Sequence, residues 1–249
     1  MIIKISPSSL SLWNRCQYQF YFHSVLKVEP VYVPPSEPQL IGAEIHSVIE
    51  EYYRWLRGRE GEITEADIRL KLYQILEEHK LVDLESDDYE SRRLRGLINN
   101  FVKFEESRLK RIGSAKLSGI EERFERFLEL EPCTVQLVGV VDAIWEYMGK
   151  RIGFDWKTGH TRRRLDEDMV NQGLVYMLLA DLDRFYFVFL ESGQMIELRE
   201  SPEERLLPLL EEICERVRSN DLTPNTSRCH ECPWNIPCKL WEQVDLVSY

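Results

Sequence analysis

In GVVDAIWEYMGKRIGFDWKTG, residues 139–159, two aspartates sit within apolar runs and a lysine follows the second at a spacing of two. Strand alternation puts Phe154 and Trp156 on one face and Asp155 with Lys157 on the other. Antiparallel pairing with the preceding segment can bring Asp142 beside Asp155 on a common face. Two carboxylates that close repel unless something positive lies between them. Hard oxygen ligands at this spacing suit Mg2+ or Mn2+, which can polarise a phosphate and lower the pKa of an attacking water. Lys157 can then orient that water or stabilise charge building up on the phosphate. The same residues also suit a plain structural Asp–Lys pair at a strand end, because short D-x-K matches are common.

A second constellation lies in RCHECPWNIPCKLW, residues 228–241, where Cys229, Cys232 and Cys238 fall within ten positions. Four-ligand sites dominate structural zinc and iron–sulfur chemistry, so a further donor is needed. His230 is squeezed between two of the cysteines and would strain their chelate. The other candidates are Cys16, Cys133 and Cys214. Both a cluster and a zinc ion accept four cysteines; the C-x5-C spacing and the distant fourth cysteine depart from the paired knuckles of a zinc ribbon.

Composition bounds the rest. The 249 residues, 43% hydrophobic, suffice for one large core or a core with a helical appendage. No uninterrupted apolar run approaches the length of about 18 needed to span a bilayer, and MIIKISPSSL lacks the features of a signal peptide. A cytoplasmic location without membrane contact is expected, and six cysteines there read as thiols or ligands rather than cystines. The net charge of −11 argues mildly against coating nucleic acid, yet a metal-dependent nuclease needs acidic residues and can concentrate its basic ones locally.

The elements that must position these residues follow from periodicity. SPSSLSLWNRCQYQFYFHSVL reads as one helix with Leu12, Cys16, Phe20 and His23 along one stripe, so Cys16 faces inward. Four prolines in VEPVYVPPSEPQ make an extended connector. Helical patterns then run from LIGAEIHSVIEEYYRWLRG through an all-helical insertion at 64–113, its helices divided by the acidic ESDD turn. GIEERFERFLEL, TVQLVGVVDAIWEYM and KRIGFDWKTG form a meander of three strands. A helix DEDMVNQGLVYMLLADL, a hairpin RFYFVFLE and QMIELRE, and a last helix SPEERLLPLLEEICERVRSN precede the cysteine tail. The order describes an α/β fold with a central mixed sheet. Gln172 and Tyr176 lie one helical turn apart and share a face, which lets both point toward the acidic strands, although an amphipathic helix with a polar boundary residue looks the same. His46, among Ile45, Val48 and Ile49, has the surroundings of a core histidine. Cys133 and Cys214 read as plain buried thiols.

Asp142, then Asp155-Trp156-Lys157 with Thr158-Gly159, then Gln172 and Tyr176 as Q-x-x-x-Y, resemble the PD-(D/E)XK nuclease superfamily. Within it the pattern is similar to the RecB-like branch, which carries an upstream histidine, here Gly42 to His46 as G-x-x-x-H. That branch includes iron–sulfur members, among them CRISPR-associated RecB-like nucleases, the AddB nuclease domain and exonuclease V, with one early cysteine and three late ones. The resemblance spans nearly the whole chain and keeps the family's order. Cys16 is followed by Gln17 where members often carry proline, and the helical stretch 64–113 is longer than in the smallest members.

The resemblance implies a restriction-endonuclease-like sheet flanked by helices, with an N-terminal helical part and a C-terminal cysteine region. It implies one nuclease domain over 1–249: a first helix with a cluster ligand at 1–27, helices at 40–113, the core at 118–219 and the cysteine tail at 223–241. His46, Asp142 and Asp155 become metal ligands, a neutral imidazole suiting Mn2+ better than Mg2+. Lys157, Gln172 and Tyr176 complete the catalytic set, Gln172 orienting Lys157 or the water and Tyr176 touching the DNA backbone. Cys16 joins Cys229, Cys232 and Cys238 around an iron–sulfur cluster of the 4Fe–4S type. Arg162, Arg163 and Arg164, directly after the DWKTGH turn, are phosphate contacts or a solvated run. The implied activity is hydrolysis of DNA, single-stranded or at ends, in repair, recombination or CRISPR adaptation, with a helicase or CRISPR integrase as possible partner. The rival is a silent iron–sulfur DNA-binding or scaffold subunit, against which the intact Asp142, Asp155 and Lys157 count.

Overall fold

The computed structural model describes residues 1–59, 63–79, 89–159 and 164–239. Its centre is a six-stranded mixed sheet. Strand β1 (Ile2–Ile5) runs parallel to β3 (Cys133–Tyr147), which pairs antiparallel with β2 (Lys116–Leu130) and with β4 (Lys150–Lys157). Beyond β4 lie β5 (Arg184–Phe189), parallel to it, and β6 (Gln194–Leu198), antiparallel to β5. The parallel step from β4 to β5 is made by helix α6 (Glu167–Ala180), as a crossover requires.

The turn between β3 and β4 sets the register that matters most. Met148 and Gly149 take φ of 51° and 74°, both left-handed, as in the two-residue turn that matches the twist of a hairpin. Tyr147 therefore faces Lys150, and the pairing runs to Ala143 opposite Phe154. Asp142 and Asp155 follow directly beyond that last pair.

Helices cover both faces. Helices α3 (Glu37–Arg57), α4 (Glu65–Glu78) and α5 (Tyr89–Ile112) bury Ile45, Tyr53, Leu72 and Phe101 against Trp145 and Trp156. The stretch expected as an insertion is thus a layer of the fold, sharing a core with the sheet. Inside it Glu105 and Arg108, both buried, form a bidentate ion pair that also takes hydrogen bonds from Tyr52 and Tyr53. On the opposite face α1 (Pro7–Arg15), α6 and α7 (Leu207–Ser219) enclose a second core around Leu10, Leu174, Phe185 and Ile213.

Three expectations are corrected. The first helix is broken at Cys16, whose φ of −167° and ψ of 117° are extended, leaving α1, a short α2 (Gln17–Phe20) and a π-helical turn at Tyr21–Val25. Cys16 is still buried, but His23, no longer in register with it, is exposed. Strand β1 was not anticipated, being four residues long and flanked at once by a helix cap. Cys133 and Cys214 are joined in a disulfide, because the start of β3 and α7 pack with their Cα atoms 5.7 Å apart, inside the usual range for such a bond.

Candidate active site and cysteine site

Strand β3 has only two edges. One is occupied by β2; the other pairs with β1 as far as Leu137 and with β4 from Ala143 onward. Asp142 lies at the end of the unpaired interval, next to where β4 begins. Its Oδ2 accepts a hydrogen bond of 2.9 Å from the backbone N–H of Trp156, which fixes it beside the D-x-K strand.

Helix α3 delivers His46 to the same place. Its Nε2 lies 2.9 Å from the carbonyl oxygen of Trp156. A carbonyl only accepts, so Nε2 carries a proton, and in a neutral ring the Nδ1 lone pair faces Asp142 and Glu121. Nδ1 is 3.4 Å from Asp142 Oδ2 and 3.7 Å from Glu121 Oε1. The ligand atoms of His46, Glu121 and Asp142 all lie within 4.8 Å of one another. Burial first, then the charge of Asp155, push the Asp142 carboxyl up to about 8. Burial pulls His46 down, but Glu121, Asp142 and Asp155 outweigh it and push the imidazole up to about 9. A divalent cation would relieve all of these strains, and the donor set, one imidazole nitrogen and carboxylate oxygens, suits Mn2+ or Mg2+.

On the other side of Asp142, the buried Asp155 Oδ2 lies 2.7 Å from Lys157 Nζ without hydrogen-bond alignment. Gln172, on α6, ties the group together. Its Oε1 accepts from Lys157 Nζ at 2.8 Å, and its Nε2 donates to Asp155 Oδ1 at 3.0 Å and to the Tyr176 hydroxyl at 3.1 Å. Burial and the nearby Asp155 push the Tyr176 phenol well up, so it stays a hydrogen-bond donor. Tyr176 reaches β3 because Gly139 has no side chain there: a Cβ would stand 2.9 Å from the ring.

The structure therefore brings His46, Asp142, Asp155, Lys157, Gln172 and Tyr176 into one site. Glu121, on β2, was missed. It occupies the step opposite Asp142, between the pairs Ile120 with Ala143 and Glu122 with Val141, and has a left-handed φ of 45°. In GIEERF nothing but that pairing separates it from an ordinary surface glutamate. Arg162 and Arg163 lie outside the described residues, and Arg164 is exposed in the loop between β4 and α6.

The cysteines meet elsewhere. Cys16, Cys229, Cys232 and Cys238 line one cavity of about 130 Å³ between the kink after α1 and the C-terminal tail. Cys16 Sγ accepts from the backbone N–H of Asn225, and Cys232 Sγ from Gln19 Nε2, both at 3.3 Å. No three of these sulfurs converge within 4.8 Å. A tetrahedral zinc, with Zn–S of about 2.3 Å, would need sulfurs about 3.8 Å apart. Four cysteines around one cavity are a donor set that soft metals take.

No curated protein matches the chain. Among solved structures it is similar to that titled "Crystal structure of SSO0001", at 18% identity and a TM-score of 0.40, covering 78% of this chain and 94% of that one. Protein VC1899 from Vibrio cholerae is similar at 14% identity and a TM-score of 0.25, covering 74% of this chain and 52% of that one. Neither likeness is strong enough to carry an argument. The model of the PD-(D/E)XK nuclease superfamily matches residues 4–239, nearly the full length, and the chain belongs to that superfamily.

Proposed function

We propose that this protein is a Mg2+- or Mn2+-dependent DNA exonuclease of the RecB-like iron–sulfur branch, acting on single-stranded DNA or DNA ends. The observation that carries the reading is Lys157 Nζ, held against both Asp155 and Gln172 alongside the converging His46, Glu121 and Asp142. A structural ion pair does not need a histidine lone pair and two further carboxylates around it.

His46 through Nδ1, Glu121 and Asp142 would hold the ion, with Asp155 adjoining. When bound, the ion polarises the scissile phosphate and makes water a usable nucleophile near neutral pH. Lys157, kept in place by Asp155 and Gln172, orients the water and offsets charge on the phosphate. Tyr176 donates to a phosphate oxygen. The four cysteines would hold a cluster of the 4Fe–4S type, and the N–H groups aimed at Cys16 and Cys232 are the outer contacts such sulfurs use. Its role is structural: it would join residue 16 to residues 229–238, so that cluster binding becomes folding free energy. The same reading proposes one nuclease domain, repair, recombination or CRISPR adaptation as the setting, and a helicase or CRISPR integrase as partner. No helix among the described residues is long and apolar enough to cross a membrane.

The test is cleavage of an end-labelled linear single strand and a closed single-stranded circle, with Mn2+, Mg2+ or EDTA. Metal-dependent shortening of the linear strand with the circle spared is expected. No cleavage with either metal overturns the nuclease reading; equal cutting of the circle overturns the exonuclease part.

A further inference from the structure

The unpaired interval of β3 is more than a gap in the sheet. A notch of about 350 Å³ opens along it, walled by Ser6 and Ser8, Val138 to Val140, Arg123 from β2, and Gln172 and Tyr176 from α6. Two of those residues, Gln172 and Tyr176, belong to the site just described, so the notch shares a wall with it. Its lining is part apolar, from Val138, Gly139, Val140 and Tyr176, and part polar, from Ser6, Ser8, Arg123 and Gln172. Among the described residues no carboxylate lines it, although the chain carries 43 Asp and Glu against 32 Lys and Arg. Arg123, exposed on the strand that also bears Glu121, is the single cation of its wall among the described residues.

This arrangement has the chemistry of one nucleotide. The volume lies at the lower end of the range for small-molecule pockets, about 300–1,000 Å³, and is too small for a base pair with its two backbones. Aromatic and aliphatic lining packs a base or sugar regardless of sequence, while a guanidinium beside it takes a phosphate. On the nuclease reading proposed above, we infer that the notch seats one nucleotide of an unpaired strand next to the scissile phosphate, with Arg123 as its phosphate contact. Arg123 is here a binding residue, outside the hydrolytic set. A duplex end would have to fray to enter.

The test is fluorescence anisotropy of a labelled single-stranded oligonucleotide on the full chain, with Ca2+ in place of Mg2+ or Mn2+. Arg123→Ala should raise Kd about tenfold, as for a lost charge-assisted hydrogen bond. It should also flatten the dependence of log Kd on log salt by about 0.7, one phosphate contact on a single strand. Arg123→Lys should keep that slope, and Val140→Glu, which puts a carboxylate into the notch, should weaken binding as Arg123→Ala does. Arg126→Ala, whose guanidinium pairs with Asp181 away from the notch, should leave Kd unchanged. The inference is overturned if Arg123→Ala binds within about twofold of wild type with the same salt slope. It is equally overturned if Arg126→Ala weakens binding as much, or if a blunt duplex binds as tightly as the single strand. Normal binding with the expected Arg123 effect, but no cleavage in Mg2+ or Mn2+, would sink the nuclease reading and leave the nucleotide site standing.

Discussion

Glu105→Ala tests how the helical layer holds the site. Glu105 is fully buried and accepts from Tyr52 at 3.2 Å, from Tyr53 at 2.9 Å and from two nitrogens of Arg108 at 2.8 Å. Arg108 is 5% exposed and lies 3.8 Å above the Trp145 ring, so little of its charge reaches water. Removing one partner of a buried pair costs about 3–5 kcal/mol. The two tyrosine hydroxyls, held far above the usual phenol range by burial and by Glu105, lose their acceptor as well, at about 1–3 kcal/mol each where no water replaces it. These costs overlap, and about 4 kcal/mol is the expected total. For a domain of this size that lowers Tm by about 8–16 °C. Scanning calorimetry of wild type and variant measures it. Replacing both partners, Glu105→Leu with Arg108→Met, should recover most of the loss, since the orphaned charge is its main source. Because Tyr52 and Tyr53 sit two turns along α3 from His46, the single variant should also bind Mn2+ more weakly well below its Tm. A loss under about 1 kcal/mol, or a double variant no better than the single, would refute the reasoning.

Gly139→Ala forces a methyl to within 2.9 Å of the Tyr176 ring and 3.0 Å of Leu179, so kcat should fall about 10- to 100-fold as Tyr176 and Gln172 shift; an unchanged kcat would show that their placement is immaterial. In metal-free protein both Asp142 and His46 are raised, so each binds its proton more tightly folded than unfolded, and stability should fall as pH rises through about 8 and 9. Mn2+ competes with those protons, so the rise in Tm it causes should be larger at pH 9 than at pH 6; the reverse order would contradict the ligand set. Cys16→Ser and Cys232→Ser should each bleach the visible absorbance of protein purified without oxygen, and Cys133→Ser and Cys214→Ser should not. Stoichiometric zinc without iron in the wild type would overturn the cluster.

The acidic strand pair was legible because three local signals agree: period-two alternation in β3 and β4, a two-residue turn, and D-x-K at the end of the second strand. Helical spacing put Gln172 and Tyr176 on one face, but it was the Q-x-x-x-Y resemblance that singled them out. Glu121 was not, since its role depends on a left-handed backbone step that puts a nominally exposed position opposite Asp142. Glu105 hides in FEESRLKR, a stretch that reads as solvated helix; only the packing of α3 on α5 shows that it is buried. The kink at Cys16 escaped for a similar reason: hydrophobic spacing continues through it, while the backbone does not. The pairing of Cys133 with Cys214, 81 positions apart, needs the docking of α7 on the sheet, which no local pattern encodes.

The central claim is that Lys157, set between Asp155 and Gln172, acts on the phosphate rather than merely balancing a buried acid. The most direct measurement is the single-turnover rate of single-strand cleavage in saturating Mn2+ for wild type, Lys157→Ala and Asp155→Ala, with Tm measured on the same samples. Loss of about 100-fold or more in both variants, with folded protein and full cluster absorbance retained, is the predicted result. Wild-type rates in both folded variants would contradict it.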